Sequence, residues 1–322
     1  MKRVDPFGFI LLLTFCLLAL IIISCFIGPV RIPFASIIED RYIDILRLRF
    51  FRIMLAVAVG SGLSLAGVML QGILRNPLAE PYVLGVSSGA GLGAVIGLLF
   101  FSAVTAGIMA FVSGILTIII VFILASADRR LSPENMIISG ILVNALFSSL
   151  LMFFVSNSSS AKVHSVIWWL LGNMQVYKGT QVVATLAIVA SGLVAALFFS
   201  KELDALSLGE EEAFHLGIDV ERIKKIFLAV SALIASVIVS MCGIIGFVGL
   251  MIPHIVRRLV GPAHKALIIT SALAGGIFLL LCDGFARTVM APKEIPVGVI
   301  TSFLGVPFFI YILKRSKRIY FK

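Results

Sequence analysis

The sequence predicts an all-α polytopic membrane protein of about ten transmembrane helices, several short or broken, with both termini cytoplasmic. Three observations carry that expectation. Of the 322 residues, 60% are apolar and 13% charged, against about half and about a quarter in a soluble domain; mean hydropathy is +1.15. The apolar runs are long and continuous, which suits helices of about 20 residues rather than the alternating strands of a membrane barrel. Basic residues also crowd one side. With ten spans, 17 of the 26 Lys and Arg fall in inner segments, as the resistance of cations to translocation requires. The same composition excludes a soluble globule, a disordered chain, collagen and a coiled coil. The net charge of +10 therefore reports topology, and no interleaved aromatic and basic run suggests a nucleic-acid groove. Cys16, Cys25, Cys242 and Cys282 lie in apolar runs without a CxxC pair, so neither a disulfide framework nor a metal site is expected.

The elements follow in order. The run 7–27 behind Met1-Lys2-Arg3 is too long for a signal-peptide core and lacks a small-residue cleavage site, so it reads as a retained first span. Further spans are expected at about 52–73, 84–104, 106–126, 134–155, 179–199, 226–245, a short one at 248–259, 265–289 and 296–313. Just outside the first span, Arg31, Arg41, Arg47, Arg49 and Arg52 run against the usual bias, offset in part by Glu39, Asp40 and Asp44. Either these arginines snorkel to the interface, or they form a positive outer patch that receives acidic groups of a partner. In Arg75-Asn76-Pro77-Leu78-Ala79-Glu80-Pro81, two prolines four apart fix a rigid turn at the inner face.

Gly85, Gly89, Gly93 and Gly97 recur every four residues, a pattern that lets helix backbones approach closely. The same stretch fits GxSxG at Gly85–Gly89, but no histidine is placed beside Ser87, so a serine hydrolase is disfavoured. Residues 201–225 form the longest charged stretch. There Asp204 and Ser207 are N-cap candidates, Gly217 suits a helix end, and Leu206, Leu208, Ala213, Phe214 and Leu216 give an apolar side for docking a cytoplasmic protein. Glycines at 243, 246 and 249 followed by Pro253 mark a broken or re-entrant passage, with His254 expected as a structural hydrogen-bonding residue. Asp283 and Arg287 are four apart, as in an intrahelical pair, and Arg287 falls near the outer end of its span. No Asp/Glu/His chain crosses the membrane as a proton relay would.

Taken together, five segments resemble the permease subunit of ATP-driven (ABC) importers for iron siderophores, haem and cobalamin, the FecCD-type family. They are RLRFFR (47–52), QGILRNPLAEPYVLGVSSGAGLGA (71–94), LSLGEEEAFHLGI (206–218), GIIGFVGLMIPHIVRRLVGPAHK (243–265) and EIPVGVITSFLGVPFFIYIL (294–313). The resemblance runs over nearly the whole chain and implies a single transmembrane permease domain, 1–322, working as a homodimer in the cytoplasmic (inner) membrane of a bacterium or archaeon. It implies two ATP-binding cassette subunits at the cytoplasmic face and a substrate-binding protein outside. By motif match, Arg49, Arg52 and Arg287 would receive acidic residues of the binding protein. Leu206, Ser207, Leu208, Gly209, Glu210, Glu211, Ala213, Leu216 and Gly217 would seat in the ATPase cleft, and Asn76, Pro77, Ser132, Pro133 and Glu134 match inner-gate positions. Pro133 and Glu134 stand where some members carry small hydroxylic residues. No cofactor is implied for this chain itself, ATP and magnesium being used by the partner ATPase; the chain has no G-x-x-x-x-G-K-[ST] loop with which to bind nucleotide phosphates. The alternative is a stand-alone secondary transporter or channel, which would have no use for the 201–225 segment.

Overall fold

The computed structural model describes residues 4–28, 40–127, 130–175 and 178–320; Arg31 and Glu39, part of the expected outer patch, lie outside them. The chain runs α1 (Pro6–Phe26), α2 (Asp40–Ile73), a 3-10 turn (Pro81–Leu84), α3 (Val86–Phe100) and α4 (Ala103–Ala125). A two-residue antiparallel pair follows, β1 (Ser126–Ala127) with β2 (Arg130–Leu131). Then come α5 (Pro133–Ser156), α6 (Ser160–Leu170), α7 (Gly179–Phe198), α8 (Ser200–Leu208), α9 (Glu210–His215), α10 (Val220–Cys242), α11 (Val248–Val260), α12 (His264–Thr288) and α13 (Val297–Tyr320). Among the described residues, seven helices are long and apolar enough to cross a membrane, and two shorter apolar helices, Val86–Phe100 and Val297–Ile312, join them. With the short α11, this agrees with about ten passages.

Two boundaries differ instructively from the expected ones. Helix α2 begins at Asp40 rather than near residue 52, because no Gly or Pro interrupts 40–52 and nothing forces a loop there. Arg47, Arg49 and Arg52 are therefore fixed on a helix, not carried by a flexible segment. Helix α10 starts at Val220, six residues early, since the Asp219 carboxylate accepts from the Arg222 backbone N–H at 3.0 Å and caps it. Helix α6 was not expected at all; at 11 residues it is too short to span.

Helix α2 is the axis of the bundle. Ile53, Leu55, Val59, Leu65 and Met69 on it are fully buried, and α7, α10, α11 and α12 pack around it. Lipid tails are as apolar as leucine, so close backbone approach, not hydrophobic exclusion, must hold these helices together. A Cβ at Gly60 of α2 would run into the Gly275 carbonyl of α12, and the Ser61 hydroxyl donates to the Ala272 carbonyl at 2.8 Å across the same contact. Helices α3 and α4 repeat the device. Cβ atoms at Gly89, Gly93 and Gly97 would strike Thr117, Met109 and Ala106 of α4. Gly85, expected in the same row, instead precedes the helix in the left-handed region (φ 80°), where it turns the chain from the 3-10 turn into α3. Outward, Leu, Ile and Phe side chains on α1, α4 and α5 stand exposed, as a lipid-facing surface would.

The expected break is present. Residues 243–247 are not helical, with Gly243 and Phe247 both at φ 69°. Irregular backbone at membrane depth needs protein partners for its polar groups, and these are supplied. Asn173 N–H donates to the Cys242 carbonyl at 2.8 Å, and Ile245 N–H reaches the Tyr82 hydroxyl at 3.4 Å. Pro253 sits inside α11 and leaves the Gly249 carbonyl without its helical donor. The buried Gln71 amide of α2 approaches that carbonyl and the next at 3.4 Å each.

Candidate functional site

Three clusters hold the predicted site residues, two at the inner end and one at the outer. The first is the short helical pair α8–α9. Asp204 and Ser207, expected as N-caps, both lie inside α8, and each has another task. The Asp204 carboxylate accepts from the backbone N–H of His264 at 2.8 Å and lies 2.7 Å from its Nδ1, so it caps α12 across space. The Ser207 hydroxyl donates back to the Leu203 carbonyl. Gly217 closes α9 as expected, at φ 81°, with its N–H on the Phe214 carbonyl and the Ile218 N–H on the Ala213 carbonyl, the double bond of a left-handed helix terminus.

The apolar side of this segment divides in two. Leu206 and Ala213 are buried with Leu203 and anchor the pair to the bundle, while Leu208, Phe214 and Leu216 are each about two-thirds exposed, at 71%, 70% and 65%. Gly209 is buried at the junction of the two helices, Glu210 is half-buried, and Ser207, Glu211 and Gly217 lie at the surface. Three large apolar groups held outward on an anchored charged segment form a surface suited to another protein.

The second cluster is the inner turn and hairpin. Asn76 makes an Asx turn, its side-chain oxygen accepting from the Leu78 N–H at 2.9 Å, and the exposed Pro77 follows it. Ser132 caps α5, accepting from the Asn135 N–H at 3.2 Å while donating to the Glu134 carboxylate at 2.8 Å. Pro133 occupies the first helical position, where its missing N–H costs nothing. Next to this turn, Lys224 of α10 is buried. Its ammonium donates to the Leu131 carbonyl at 2.7 Å and pairs with Glu210 at 2.6 Å and Glu221 at 3.3 Å. Glu221 in turn accepts from the Leu131 N–H at 3.1 Å. Also near this face, Glu80 accepts from the Phe247 backbone N–H, and burial pushes its carboxyl up to about 7.

The third cluster lies at the opposite end of α2 and α12. Arg52 Nε is 2.9 Å from Asp283, and its Nη1 is 2.8 Å from Glu294. Arg287 pairs with Asp283 at 2.9 Å and donates to the Ile27 carbonyl at 3.1 Å; Arg49 donates to the Cys25 carbonyl at 3.1 Å. The expected Asp283–Arg287 pair thus exists, but Arg52 shares its carboxylate. Arg49 and Arg287 are buried, and Arg52 is the more open of the three, with its side chain 16% exposed. Arg47 is exposed and stacks over Phe51. His254, expected to hydrogen-bond, instead packs edge-on against Phe308 and Phe309, with its Nε2 unpartnered. Sequence reasoning missed Lys224, Gln71 and the Asp204–His264 contact. The signal for each was a polar side chain inside or beside an otherwise apolar run.

Helices long and apolar enough to span a bilayer, with an anchored segment turning large apolar side chains outward at one end and a buried ion cluster at the other, define a multi-pass membrane protein. The chain belongs to the FecCD transport family, whose model matches residues 16–315. It is 39% identical over 269 residues to a cobalamin import system permease protein, BtuC, of Halobacterium salinarum, covering 83% of this chain and 72% of that one. It is 34% identical to an Fe(3+)-citrate import system permease protein, YfmE, of Bacillus subtilis, covering 98% of each chain. Among solved structures, an inward-facing conformation of an ABC transporter assigned to the metal-chelate type superimposes with a TM-score of 0.86 at 30% identity, covering 96% of this chain and 99% of that one. The protein is a permease of an ABC importer, resident in the cytoplasmic (inner) membrane.

Proposed function

We propose that this permease carries a metal complex, of the iron-chelate, haem or corrinoid class, by alternating access driven from separate ATP-binding subunits. The observation that carries this reading is the anchored α8–α9 pair with Leu208, Phe214 and Leu216 turned outward. A secondary transporter has no use for such a surface. Fully burying one side chain of that size is worth about 1.5–3 kcal/mol, and moving a two-state bundle from 1:99 to 99:1 takes about 5.5 kcal/mol of differential binding. Three side chains gripped in one state and released in the other supply energy of that order. The relatives' cargoes, cobalamin and iron(III) citrate, support a large chelate as substrate.

The remaining assignments follow the same reading. Two copies of the chain enclose the path, Asn76, Pro77, Ser132, Pro133 and Glu134 form its inner gate, and the binding protein docks at the outer end. Because Arg49 and Arg287 are buried, an acidic group arriving there meets Arg52 first and competes with Glu294 for it. Uptake of radiolabelled cobalamin and of iron(III) citrate, each supplied with its substrate-binding protein, into liposomes holding the chain with its ATP-binding subunits tests the proposal. ATP-dependent uptake of one of the two, lost with Leu208→Glu together with co-purification of the ATPase, is the expected result. Uphill transport by the chain alone overturns it.

A further inference from the structure

The inner gate and the ATPase-facing segment belong to different stretches of chain, and one buried side chain touches both. Lys224, 2% exposed, stands one turn inside α10. On one side its ammonium meets Glu210, the first residue of α9. On the other it donates to the carbonyl of Leu131, the last residue of β2 and the one before Ser132. Glu221, one turn back on α10, pairs with the same ammonium and accepts from the N–H of the same Leu131. Leu131 is thus held by both its backbone donor and its backbone acceptor, each through a charged group of α10. It is itself buried at 2%.

We propose that Lys224 is the positioning residue that transmits movement of the α8–α9 segment to the Ser132–Glu134 turn at the head of α5. The proposal rests on the permease reading above and deepens it. Burial decides why the link is stiff. A buried cation cannot shed its partners into water without a large desolvation penalty, so Glu210, Lys224 and Leu131 move as one body or the cluster breaks. Only the Lys224 end of the Glu210 pair is buried, the Glu210 side chain being 34% exposed; pulling Glu210 away still strips a buried ammonium of one of its partners, so displacement of α9 is passed on to β2. Glu210 is half-buried while Glu211 and Glu212 are exposed, which separates the acidic residue turned toward the gate from those left for solvent or a partner. The Glu210 link spans α9 to α10, and the Leu131 link spans α10 to the hairpin, so each can be cut alone.

The test uses the full chain assembled with its ATP-binding subunits in nanodiscs, with a reporter cysteine at the exposed Asn135 (N135C) and a charged maleimide as probe. In the parent, ATP with orthovanadate should change the labelling rate by a factor of about 5 or more, the range of ordinary allosteric coupling. In Lys224→Met the ATPase should still turn over, while the reporter no longer responds to nucleotide; Lys224→Arg should restore the response. Glu210→Gln, which cuts only the α9 side, should silence the reporter in the same way. A Lys224→Met reporter that follows nucleotide as the parent does overturns the proposal. If Lys224→Met does not assemble, a parental response in Glu210→Gln overturns it instead. A parent that binds no ATPase would refute the permease reading, a separate outcome read from co-purification.

Discussion

Asp283 is fully buried and lies 2.9 Å from Arg52 on one side and 2.9 Å from Arg287 on the other. Asp283→Asn keeps the shape and removes the charge. Arg52 retains Glu294 at 2.8 Å, so the loss falls on Arg287, which is 3% exposed and whose Nη2 already lacks a partner. Removing one member of a buried pair costs about 3–5 kcal/mol, because the other charge stays behind uncompensated. We therefore expect about 3 kcal/mol or more, and a fall in unfolding midpoint on the order of 4–7 °C for a chain of 322 residues. Glu294→Gln, at a site about a third exposed, should cost no more than about 1 kcal/mol. The double variant Asp283→Asn/Arg287→Met should recover part of the loss, since it removes the stranded cation too. Thermal unfolding of the purified chain in nanodiscs, followed by size-exclusion after heating, gives all four corners of the cycle. Equal losses for Asp283→Asn and Glu294→Gln, or strict additivity with Arg287→Met, would refute the reasoning.

Three other outcomes follow from the same geometry. The Glu80 carboxyl is raised to about 7 in the folded chain from an ordinary value of 4.5, so the folded state binds its proton more tightly. Its contribution to stability is full below about pH 4.5 and is lost as pH rises toward 7; Glu80→Gln should flatten that part of the stability profile measured by the same heating assay. Gly60→Ala puts a methyl group into the Gly275 carbonyl and should cost about 1–3 kcal/mol as overpacking. Gly284→Ala on α12, where nothing stands within 4 Å, should be neutral or gain up to about 1 kcal/mol; matching losses at the two sites would count against close approach as the bond between α2 and α12. Gln71→Leu leaves the Gly249 carbonyl without its donor and should cost about 1–3 kcal/mol, seen as a lower midpoint with assembly intact.

Composition and run length were enough to predict the membrane class and to place most helices within a few residues, because burial in lipid imposes one simple rule on every residue of a span. The break at 243–247 was legible for a related reason: three glycines and a proline contradict a regular helix. Boundaries failed where the deciding group was a cap or its absence. Asp219, not any of the apolar residues after it, sets the start of α10. Asp204 has the composition of an N-cap and is one, but for α12, 60 residues further on. Residue type was read correctly there, and the partner was invisible, because local spacing says nothing about which helix end the fold will bring alongside.

The same limit explains the long-range polar clusters, and it suggests how more of them could have been found. Arg52 and Asp283 are 231 residues apart, and Lys224 and Leu131 are 93 apart. No periodicity connects such pairs. Physical cost does, however, mark their members one at a time. A charge within or at the head of an apolar helix must find a counter-charge or a line of backbone carbonyls, so Asp283 and Lys224 each demand a partner by their position in the chain. Pairing Asp283 with Arg287 met the demand of one carboxylate with one cation and left Arg52 to the outer patch, with no intrachain partner. Counting Lys224 among the inner positive charges satisfied topology and stopped there. Arginines at the outer end that oppose the charge bias should have been matched first against the rare acidic residues of other spans. That test would have drawn Arg52 toward Asp283 on chemistry alone.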